Sequence, residues 1–527
     1  MSGPPAKLLL LGIDAANPGL LRRWGADGTM PNLGALMARG LVGETRGVEG
    51  FLVGATWATL STGVNPARHG YHYTVQLKPG TYEYHHPTIR REPFWTTLSR
   101  AGKRLAIIDV PLTELDPRIN GMHIVDWSGI EALSAFSTAP PEVREEVTAK
   151  WGDYPLKNAC DGLRRSLDDY RSFIDRLVQG VKTRAELTTH FLAKGGWDLF
   201  VQVFTESHCA GHQVWHLHDA AHPAHDAAMS ASLGDPLRRV YVAIDDAIGR
   251  VLDAAGDTRV LVITAHGMSH WHGAQFLLPE ILIRLGASEA VPAAPPQPAP
   301  PASASGVARR IWHMIPLPLR EVLSPPRARL RPRLQGPPVL PVLDADPLRS
   351  KCFLVRNGHL TAGIRLNLAG REPNGVLRPG AEADAFCAEL IKNLLEVVDQ
   401  RTGRPALTRV VRTADRFDGE YMVCLPDLLL DWDDAVPTGS SHHAGGAAAT
   451  VRVHSQRIGV VEGTNHFTRT GDHRIGGLFV AAGPGIRPGS LNRVVSTMDF
   501  APTLATILGA PSTRTDGHVI QEIAAEI

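Results

Sequence analysis

The sequence lacks the patterns that define several common classes of protein. It has five cysteines in 527 residues, widely spaced and without a Cys-x-x-Cys pair. This argues against a disulfide framework or a cysteine zinc site and favours a reducing compartment. No Gly-x-Gly-x-x-Gly follows the first apolar run, so a dinucleotide-binding domain is not predicted. No stretch approaches the roughly 20 apolar residues that a membrane span needs.

An excess of charge of one sign is also absent. The chain has 54 basic and 53 acidic residues, a balance that predicts neither a nucleic-acid partner nor an acidic tail. The N-terminal apolar run reaches only to Asp14 and has no small-residue cleavage site, so it is too short for a secretory signal. We therefore expect a cytoplasmic protein that binds neither nucleic acid nor a membrane.

Short continuous apolar runs alternate with segments of helical periodicity. The runs are "LLLLGID" (8–14), "RLAIIDV" (104–110), "DLFVQVFTE" (198–206), "RVLVITAH" (259–266) and "GLFVAAG" (477–483). Continuous apolar runs are typical of parallel strands that are covered on both faces. Their alternation with helices predicts an α/β fold with a doubly wound, mostly parallel sheet and helices on both faces.

One segment, 286–345, interrupts this alternation. Its first third is rich in proline, alanine and serine, and "VARRIWHMIPLPLREVL" follows with the pattern of short basic amphipathic helices. We interpret it as an insertion, with a Pro/Ala-rich linker that can also serve as a lid. Residues 1–285 and 346–527 then form one α/β domain.

Residues that bind metals follow several of the apolar runs. Asp14 ends the first run, His208 follows the third, and His266 ends the fourth. Ligands of open α/β sheets bind beyond the carboxyl ends of the strands. One such residue is commonly a helix cap or a loop residue, but agreement between independent strand ends predicts a shared site.

The histidine-rich stretch "TESHCAGHQVWHLHD" (205–219) is the strongest local signal. His208 and His212 are four residues apart, which puts them on one face of a helix, where two imidazoles can hold one zinc ion. A polar helix face without a metal is the alternative. We expect His216 and His218 to lie outside the ligand set. A later candidate is His473, in "GDHRIGG", where neighbouring glycines allow close backbone approach.

Seven segments, in order along the chain, resemble motifs of the alkaline phosphatase superfamily. They are "GIDAANPGLL", "MPNLGALMARG", "TGVNPARHG", "ESHCAGHQVW", "TAHGM", "RTGDHRIGGLFVAAGPGI" and "STMDFAPTLATILGAPSTRTDG". The similarity is greatest to the type I phosphodiesterase/nucleotide pyrophosphatase branch and its related phosphohydrolases and phosphomutases. It covers most of the chain outside 286–345. The resemblance implies a sheet of the alkaline-phosphatase type that holds two metal ions, usually zinc.

The resemblance implies that one zinc ion is held by His208, His212 and His473. In the family an Asp stands at the first of these positions, and here a histidine replaces it. Three neutral imidazoles still form a good zinc site with an open fourth position.

The second family site departs further from the pattern. Asp14 matches, but the family's Asp-His pair is Ala265-His266 here, and the position of the family's nucleophile holds Val53. A second zinc ion at Asp14 and His266 is therefore uncertain from the sequence. The hydroxyl nearest to Val53 on the same helical face is that of Thr56, which we name as the candidate catalytic residue.

These residues predict a metal-dependent hydrolase of a small-molecule phosphate ester. By family analogy the bond is a phosphodiester or pyrophosphate bond. Three interpretations stay open. Thr56 attacks phosphorus, a single zinc ion lowers the pKa of water to about 7 and supplies hydroxide, or the chain binds a phosphate-like ligand without turnover. An impaired family member acting as a scaffold and a transferase with an acceptor other than water are the alternative functions.

Overall fold

A computed structural model of the protein describes residues 6–52, 54–129, 132–156, 160–291, 343–443, 445–510 and 514–524. Its strands in chain order are β1 (Leu8–Ile13), β2 (Leu41–Arg46), β3 (Gln76–Leu77), β4 (Tyr84–His85), β5 (Leu105–Ile108), β6 (Gly121–Val125), β7 (Ser137–Ala139), β8 (Leu199–Phe204), β9 (Arg259–Thr264), β10 (Gly267–His270), β11 (Cys352–Val355), β12 (Thr361–Leu366), β13 (Val398–Asp399), β14 (Arg404–Pro405), β15 (Leu407–Arg412), β16 (Leu428–Trp432), β17 (Thr450–Ser455), β18 (Gly459–Thr464), β19 (Gly471–Arg474), β20 (Gly476–Ala482) and β21 (Gly489–Ser496).

The α-helices of the described residues are α1 (Pro18–Ala26), α2 (Pro31–Arg39), α3 (Ala55–Thr62), α4 (Pro66–His69), α5 (Phe94–Arg100), α6 (Glu142–Trp151), α7 (Leu167–Ala193), α8 (Glu206–His218), α9 (Ala227–Leu233), α10 (Pro236–Ala255), α11 (Leu278–Arg284), α12 (Ala381–Leu395), α13 (Gly445–Ala449), α14 (Phe500–Ile507) and α15 (Gln521–Ala524). Short 3-10 helices span Gln275–Leu277, Thr413–Asp415, Met422–Cys424 and Thr497–Asp499.

A nine-stranded sheet forms the centre of the molecule, in the order β21-β2-β20-β9-β1-β8-β5-β6-β7. Strand β1 pairs in parallel with β8 and β9, and β5 pairs in parallel with β8 and β6. Only β20 and β7 pair with their neighbours in the antiparallel direction. The predicted mostly parallel α/β sheet is confirmed.

The continuous apolar runs become strands because both faces of the sheet are covered. In β1, Leu9 and Leu11 belong to a core shared with α1, α2, α7, α8 and α10, whereas Leu8 and Leu10 belong to a core shared with α3, α5 and α14. Successive side chains of a strand point to opposite faces, so a strand between two helical layers has no polar face. The prediction of helices on both faces is confirmed.

A third core lies outside the central sheet. Two four-stranded sheets, β11-β12-β16-β15 and β14-β13-β17-β18, pack with α11 and α12 around buried residues such as Ile364, Leu394 and Val453. These sheets are antiparallel throughout. The periodicity of the apolar runs did not predict this smaller unit.

The two ends of the expected insertion, 286–345, belong to different clusters. Ala287 is part of the third core, whereas Ala345 packs in a separate cluster with Leu77 and Phe353. Ala287, Ser288 and Ala345 are buried, and Ala290 forms an antiparallel bridge with Ala345. Residues 292–342, which contain most of the proline-rich linker and the expected amphipathic helices, lie outside the described residues.

The cysteine pattern requires one correction. We expected no disulfide framework and a reducing compartment, but Cys160 and Cys209 are joined by a disulfide bond, with their Cα atoms 4.7 Å apart. The bond links the segment before α7 to α8, two parts of the chain whose proximity the spacing of the cysteines did not reveal. Cys352, Cys387 and Cys424 are free thiols.

Within the part of the chain that the structure describes, no helix combines the length and the apolar character needed to cross a bilayer.

Candidate metal centre

The site begins where three neighbouring parallel strands end. Asp14 follows β1 directly, α8 begins two residues after β8, and His266 stands two residues after β9. The backbone N–H of Asp14 donates to the carbonyl of Phe204 at 2.8 Å, and Ser207 Oγ donates to the carbonyl of Asp14 at 2.6 Å. The end of β1 is thereby fixed to the start of α8.

Helix α8 presents His208 and His212 on one face, one turn apart, as their spacing predicts. Both side chains are buried, and their Nε2 atoms lie 2.9 Å apart. His216, a further turn along, instead contacts Thr470 Oγ1 at 3.1 Å, and His218 contacts Asp235 at 3.0 Å. That these two residues lie outside the ligand set stays a prediction.

The third histidine reaches the site on a two-stranded ribbon. Strands β10 and β19 pair in the antiparallel direction, with Met268 opposite His473. A Cβ atom added to Gly471 would meet the carbonyl oxygen of Gly211 at 2.3 Å, so only glycine allows β19 to lie this close to α8. The ligand atoms of His208, His212 and His473 all lie within 4.8 Å of one another.

The contacts of His212 and His473 show which ring nitrogens can face a metal. His212 Nδ1 lies 2.8 Å from the carbonyl of Gly471, so Nδ1 carries the proton and Nε2 keeps its lone pair. In this structure that lone pair accepts a hydrogen bond from Arg469 Nη1 at 3.0 Å, and a metal would take its place. His473 Nδ1 lies 2.8 Å from Asp472 Oδ1, and neither of its ring nitrogens has a hydrogen-bond partner among the described residues. Burial lowers the pKa of all three histidines well below its ordinary value, and Arg469 lowers it further. Neutral imidazole is the form that ligates metals.

Asp14 lies next to this group. Its Oδ1 accepts a hydrogen bond from Trp57 Nε1 at 2.9 Å, and its Oδ2 is buried, 3.7 Å from His208 Nδ1 and without a hydrogen-bond partner among the described residues. Burial raises the pKa of Asp14 to about 7, although the Trp57 hydrogen bond lowers it. An unsatisfied buried carboxylate oxygen is costly without a partner, and a cation would satisfy it.

His266 also reaches the group. Its Nε2 lies 4.0 Å from Asp14 Oδ1, and its ring centroid lies 4.8 Å from that of His473. Ala265 before it is fully buried and offers no donor atom. The structure thus brings together all five predicted metal residues: Asp14, His208, His212, His266 and His473.

The hydroxyl of Thr56 is hydrogen-bonded to the backbone and not to any of the five candidate metal residues. Thr56 is the second residue of α3, and its hydroxyl donates to the carbonyl of Leu52 at 3.0 Å. Gly54 occupies the N-cap position of this helix, so Thr56 is not its cap. The next residue, Trp57, is the one that contacts Asp14. Val53 lies outside the described residues.

Three polar residues of the site were missed by the sequence analysis. Asp472 contacts His473, Arg469 Nη1 lies 3.0 Å from His212 Nε2, and Asp161 forms an ion pair with Arg469. Asp472 and Arg469 stand in "RTGDHRIGG", the same segment as His473, and their closeness to His473 was an available signal. Asp161 is far from the other two in sequence, and no local pattern indicates it.

The chain is similar to several proteins of known structure. Murine ectonucleotide pyrophosphatase/phosphodiesterase 5 is 13% identical, with 97% of each chain covered and a TM-score of 0.43. An inactive variant of the murine protein in complex with AMP is 14% identical, with 98% of this chain and 99% of that chain covered and a TM-score of 0.44. Phosphonoacetate hydrolase from Sinorhizobium meliloti, in complex with phosphonoformate, is 13% identical, with 95% and 94% covered and a TM-score of 0.46.

The sequence itself was compared with curated proteins and with protein-family models. No curated protein matches. The family model "Type I phosphodiesterase / nucleotide pyrophosphatase" matches residues 8–299, more than half of the 527 residues. This span includes Asp14, the α8 histidines and His266. The resemblance found in the sequence motifs is therefore confirmed, and the chain belongs to the type I phosphodiesterase/nucleotide pyrophosphatase family.

Proposed function

We propose that this protein is a metal-dependent hydrolase of small-molecule phosphate esters, and that it cleaves phosphodiester or pyrophosphate bonds. The observation that carries the proposal is the convergence of three buried imidazoles, His208, His212 and His473, with ligand atoms within 4.8 Å of one another. Family membership supports a hydrolase of phosphate esters. Among the structurally similar chains, one binds AMP and another binds phosphonoformate, and both ligands carry phosphoryl groups.

The donor set fits a zinc ion. Three neutral nitrogen ligands with an open fourth position are typical of catalytic zinc sites. The free Nε2 atom of His473 and the unsatisfied Oδ2 atom of Asp14 are buried polar atoms that a cation would satisfy. When bound, zinc supplies a Lewis acid for a phosphoryl oxygen and lowers the pKa of water.

Neighbouring residues contact the side chains that would hold the zinc ion. Gly471 fixes the tautomer of His212, and the carboxylate of Asp472 lies beside the His473 ring. Trp57 holds one oxygen of Asp14 in place. A cavity of about 400 Å³ borders both His473 and Leu52, the residue whose carbonyl accepts from Thr56. This volume suits a small-molecule ester, and we propose that it receives the substrate.

Binding without turnover is the second candidate, and Ala265 favours it. This residue is fully buried where the family has a carboxylate, so the Asp14 and His266 side of the site has lost a donor atom. A phosphate-like ligand would still bind to the three histidines. Zinc-loaded protein that binds inorganic phosphate but cleaves neither monoesters nor diesters would favour this candidate over the hydrolase.

The stereochemistry of cleavage tests the role of Thr56. With a chiral phosphorothioate diester, attack by the Thr56 hydroxyl followed by hydrolysis gives net retention at phosphorus, and direct attack by water gives inversion. If Thr56 attacks, Thr56→Ala abolishes turnover with zinc still bound, and Thr56→Ser keeps part of it. Inversion together with an active Thr56→Ala variant would remove Thr56 from the mechanism.

The cytoplasm stays our proposal for the compartment, and the Cys160–Cys209 bond is the observation that tests it. Structural disulfides persist in oxidising compartments and are rare in the cytosol. Trapping free thiols in intact cells of the natural host measures the state of this pair. Five free thiols per chain would support a cytoplasmic protein, and three would place it in an oxidising compartment.

A further inference from the structure

Arg469 occupies an unusual position beside the three histidines. Its Nη1 atom lies 3.0 Å from His212 Nε2, the nitrogen that we assign to the metal. Its Nε and Nη2 atoms donate to the two carboxylate oxygens of Asp161, at 2.5 and 3.1 Å. The Arg469 side chain is only 13% exposed. One edge of the guanidinium is therefore fixed by Asp161, and the remaining nitrogen donates to His212 Nε2 at the candidate metal centre.

A guanidinium at this place cannot act as a metal ligand. It has no acceptor lone pair and does not lose its proton in proteins. A divalent ion held by His212 would therefore have a second cation as its neighbour, and the three imidazoles bring no negative charge to offset it. Asp472 lies on the opposite side of the His212 ring, 3.9 Å from Nδ1. The arrangement is favourable when an anionic atom contacts both the metal and Arg469.

We propose that Arg469 binds a nonbridging oxygen of the substrate's phosphoryl group, and that Asp161 is the residue that positions it. This inference rests on the proposed function, because it assumes a phosphoryl group beside the three histidines. Arginine forms strong charge-assisted hydrogen bonds with phosphoryl oxygens. A donor that is already fixed at the place where charge develops in a transition state stabilises that state without reorganisation.

The chain anchors this pair to α8 from two directions. Thr470, next to Arg469, donates its backbone N–H to the carbonyl of His212 at 2.7 Å. Thr468 Oγ1 donates to the carbonyl of Asp161 at 3.1 Å. The disulfide between Cys160 and Cys209 joins the neighbour of Asp161 to the neighbour of His208. These bonds fix the positions of Arg469 and Asp161 relative to α8.

Calorimetric binding of inorganic phosphate to the zinc-loaded protein tests the proposal without relying on turnover. We expect Arg469→Gln to weaken phosphate binding by about 10–100-fold, since a hydrogen bond to a charged group is lost, with zinc content unchanged. Arg469→Lys keeps the charge and should bind with intermediate affinity. Asp161→Asn should weaken binding less than Arg469→Gln does. Arg239→Gln is the matched control, because Arg239 pairs with Asp175 at 2.7 Å on another surface.

The outcomes separate this inference from the proposed function. Equal phosphate affinity in Arg469→Gln and wild type, or no phosphate binding by the zinc-loaded wild type, would overturn the role of Arg469 even if esters are cleaved. Arg469-dependent phosphate binding by a protein that cleaves no ester would support the role of Arg469 and remove the hydrolase. If the protein takes up no zinc, phosphate binding by the metal-free protein that Arg469→Gln abolishes would still support it. Circular dichroism of each variant checks that it is folded.

Discussion

At the scale of single residues, the candidate site is defined by which ring nitrogen carries a proton. The carbonyl of Gly471 accepts a hydrogen bond from His212 Nδ1–H, and this leaves Nε2 directed toward His208. A histidine that donates to a backbone carbonyl in this way is a better oriented and more basic ligand. The glycine is itself required by the close approach of β19 to α8, so backbone packing and ligand orientation have the same cause.

Replacement of His212 by alanine tests the assignment of the metal. We expect His212→Ala to lose about one equivalent of zinc per chain, because two imidazoles alone form an incomplete site. Elemental analysis of the purified protein measures this loss, and anomalous scattering from crystals locates the ion. His218→Asn is the control on the same helix, since His218 pairs with Asp235. Unchanged zinc content in His212→Ala would refute the assignment.

At the scale of elements, the short helix α4 lies inside the "TGVNPARHG" motif and packs against α3. Asn65 caps α4 by accepting from the backbone of Ala67, and its own N–H donates to Asp516. His69 ends the helix fully buried. Its Nδ1 accepts from the backbone N–H of Tyr71 at 3.2 Å, and its Nε2 lies 3.0 Å from Thr59 Oγ1 of α3. The motif therefore packs α4 against α3 through a buried histidine that is neutral in the folded protein.

The buried state of His69 predicts an acid-sensitive stability. Burial lowers its pKa from 6.5 to about 3, so between these values the unfolded chain binds a proton that the folded chain does not. The free energy of unfolding then falls as pH drops below 6.5. Between pH 6.5 and 4.5 His69 contributes about 2–3 kcal/mol to this fall.

Urea denaturation at pH 7.5 and pH 4.5 measures the effect. His69→Gln should lower stability at pH 7.5 by about 1–3 kcal/mol, because the N–H of Tyr71 loses its acceptor. The difference between the two pH values should nevertheless shrink relative to wild type. His86→Gln, at an exposed position, should leave that difference unchanged. An acid dependence in His69→Gln equal to that of wild type would show that His69 does not titrate on unfolding.

At the scale of the whole molecule, the two ends of the 286–345 insertion lie next to each other. Ala290 and Ala345 form a backbone bridge, and the N–H of Asp346 donates to the carbonyl of Glu289 at 2.9 Å. Residues 292–342 therefore leave and re-enter the described fold at neighbouring points. A few residues can span such a gap, and a shorter loop costs slightly less entropy to close.

Replacement of 292–342 by a short Gly/Ser linker should preserve folding and zinc uptake. We expect a thermal midpoint equal to or slightly above that of wild type, measured by scanning calorimetry. A matched deletion of 288–345 should lower the midpoint, because it removes the bridge and the hydrogen bond from Ser288 Oγ to the carbonyl of Cys352. Aggregation of the 292–342 deletion would instead make this segment part of a core.

The sequence predicted the central sheet and the proximity of the five candidate metal residues, because both have local signals. Apolar runs mark buried strands, and the residue after each run lies at the carboxyl edge of the sheet, as Asp14 does. The Arg469–Asp161 pair had no such signal, since the two residues are 308 positions apart. The disulfide was missed for the same reason. The antiparallel strands of the third core are short and show no long apolar run, so their pairing depends on tertiary contacts.

The order of strands in the central sheet also has a consequence for synthesis on the ribosome. Strand β20 lies between β9 and β2 and pairs with both. Strand β9 ends at Thr264 and β20 begins at Gly476, so at roughly 5–20 residues per second the nascent chain exposes an open β9 edge for on the order of 10–40 s. Open edges of apolar strands are templates for pairing between chains. Translation speed and chaperone access over this interval should therefore govern the yield of native protein.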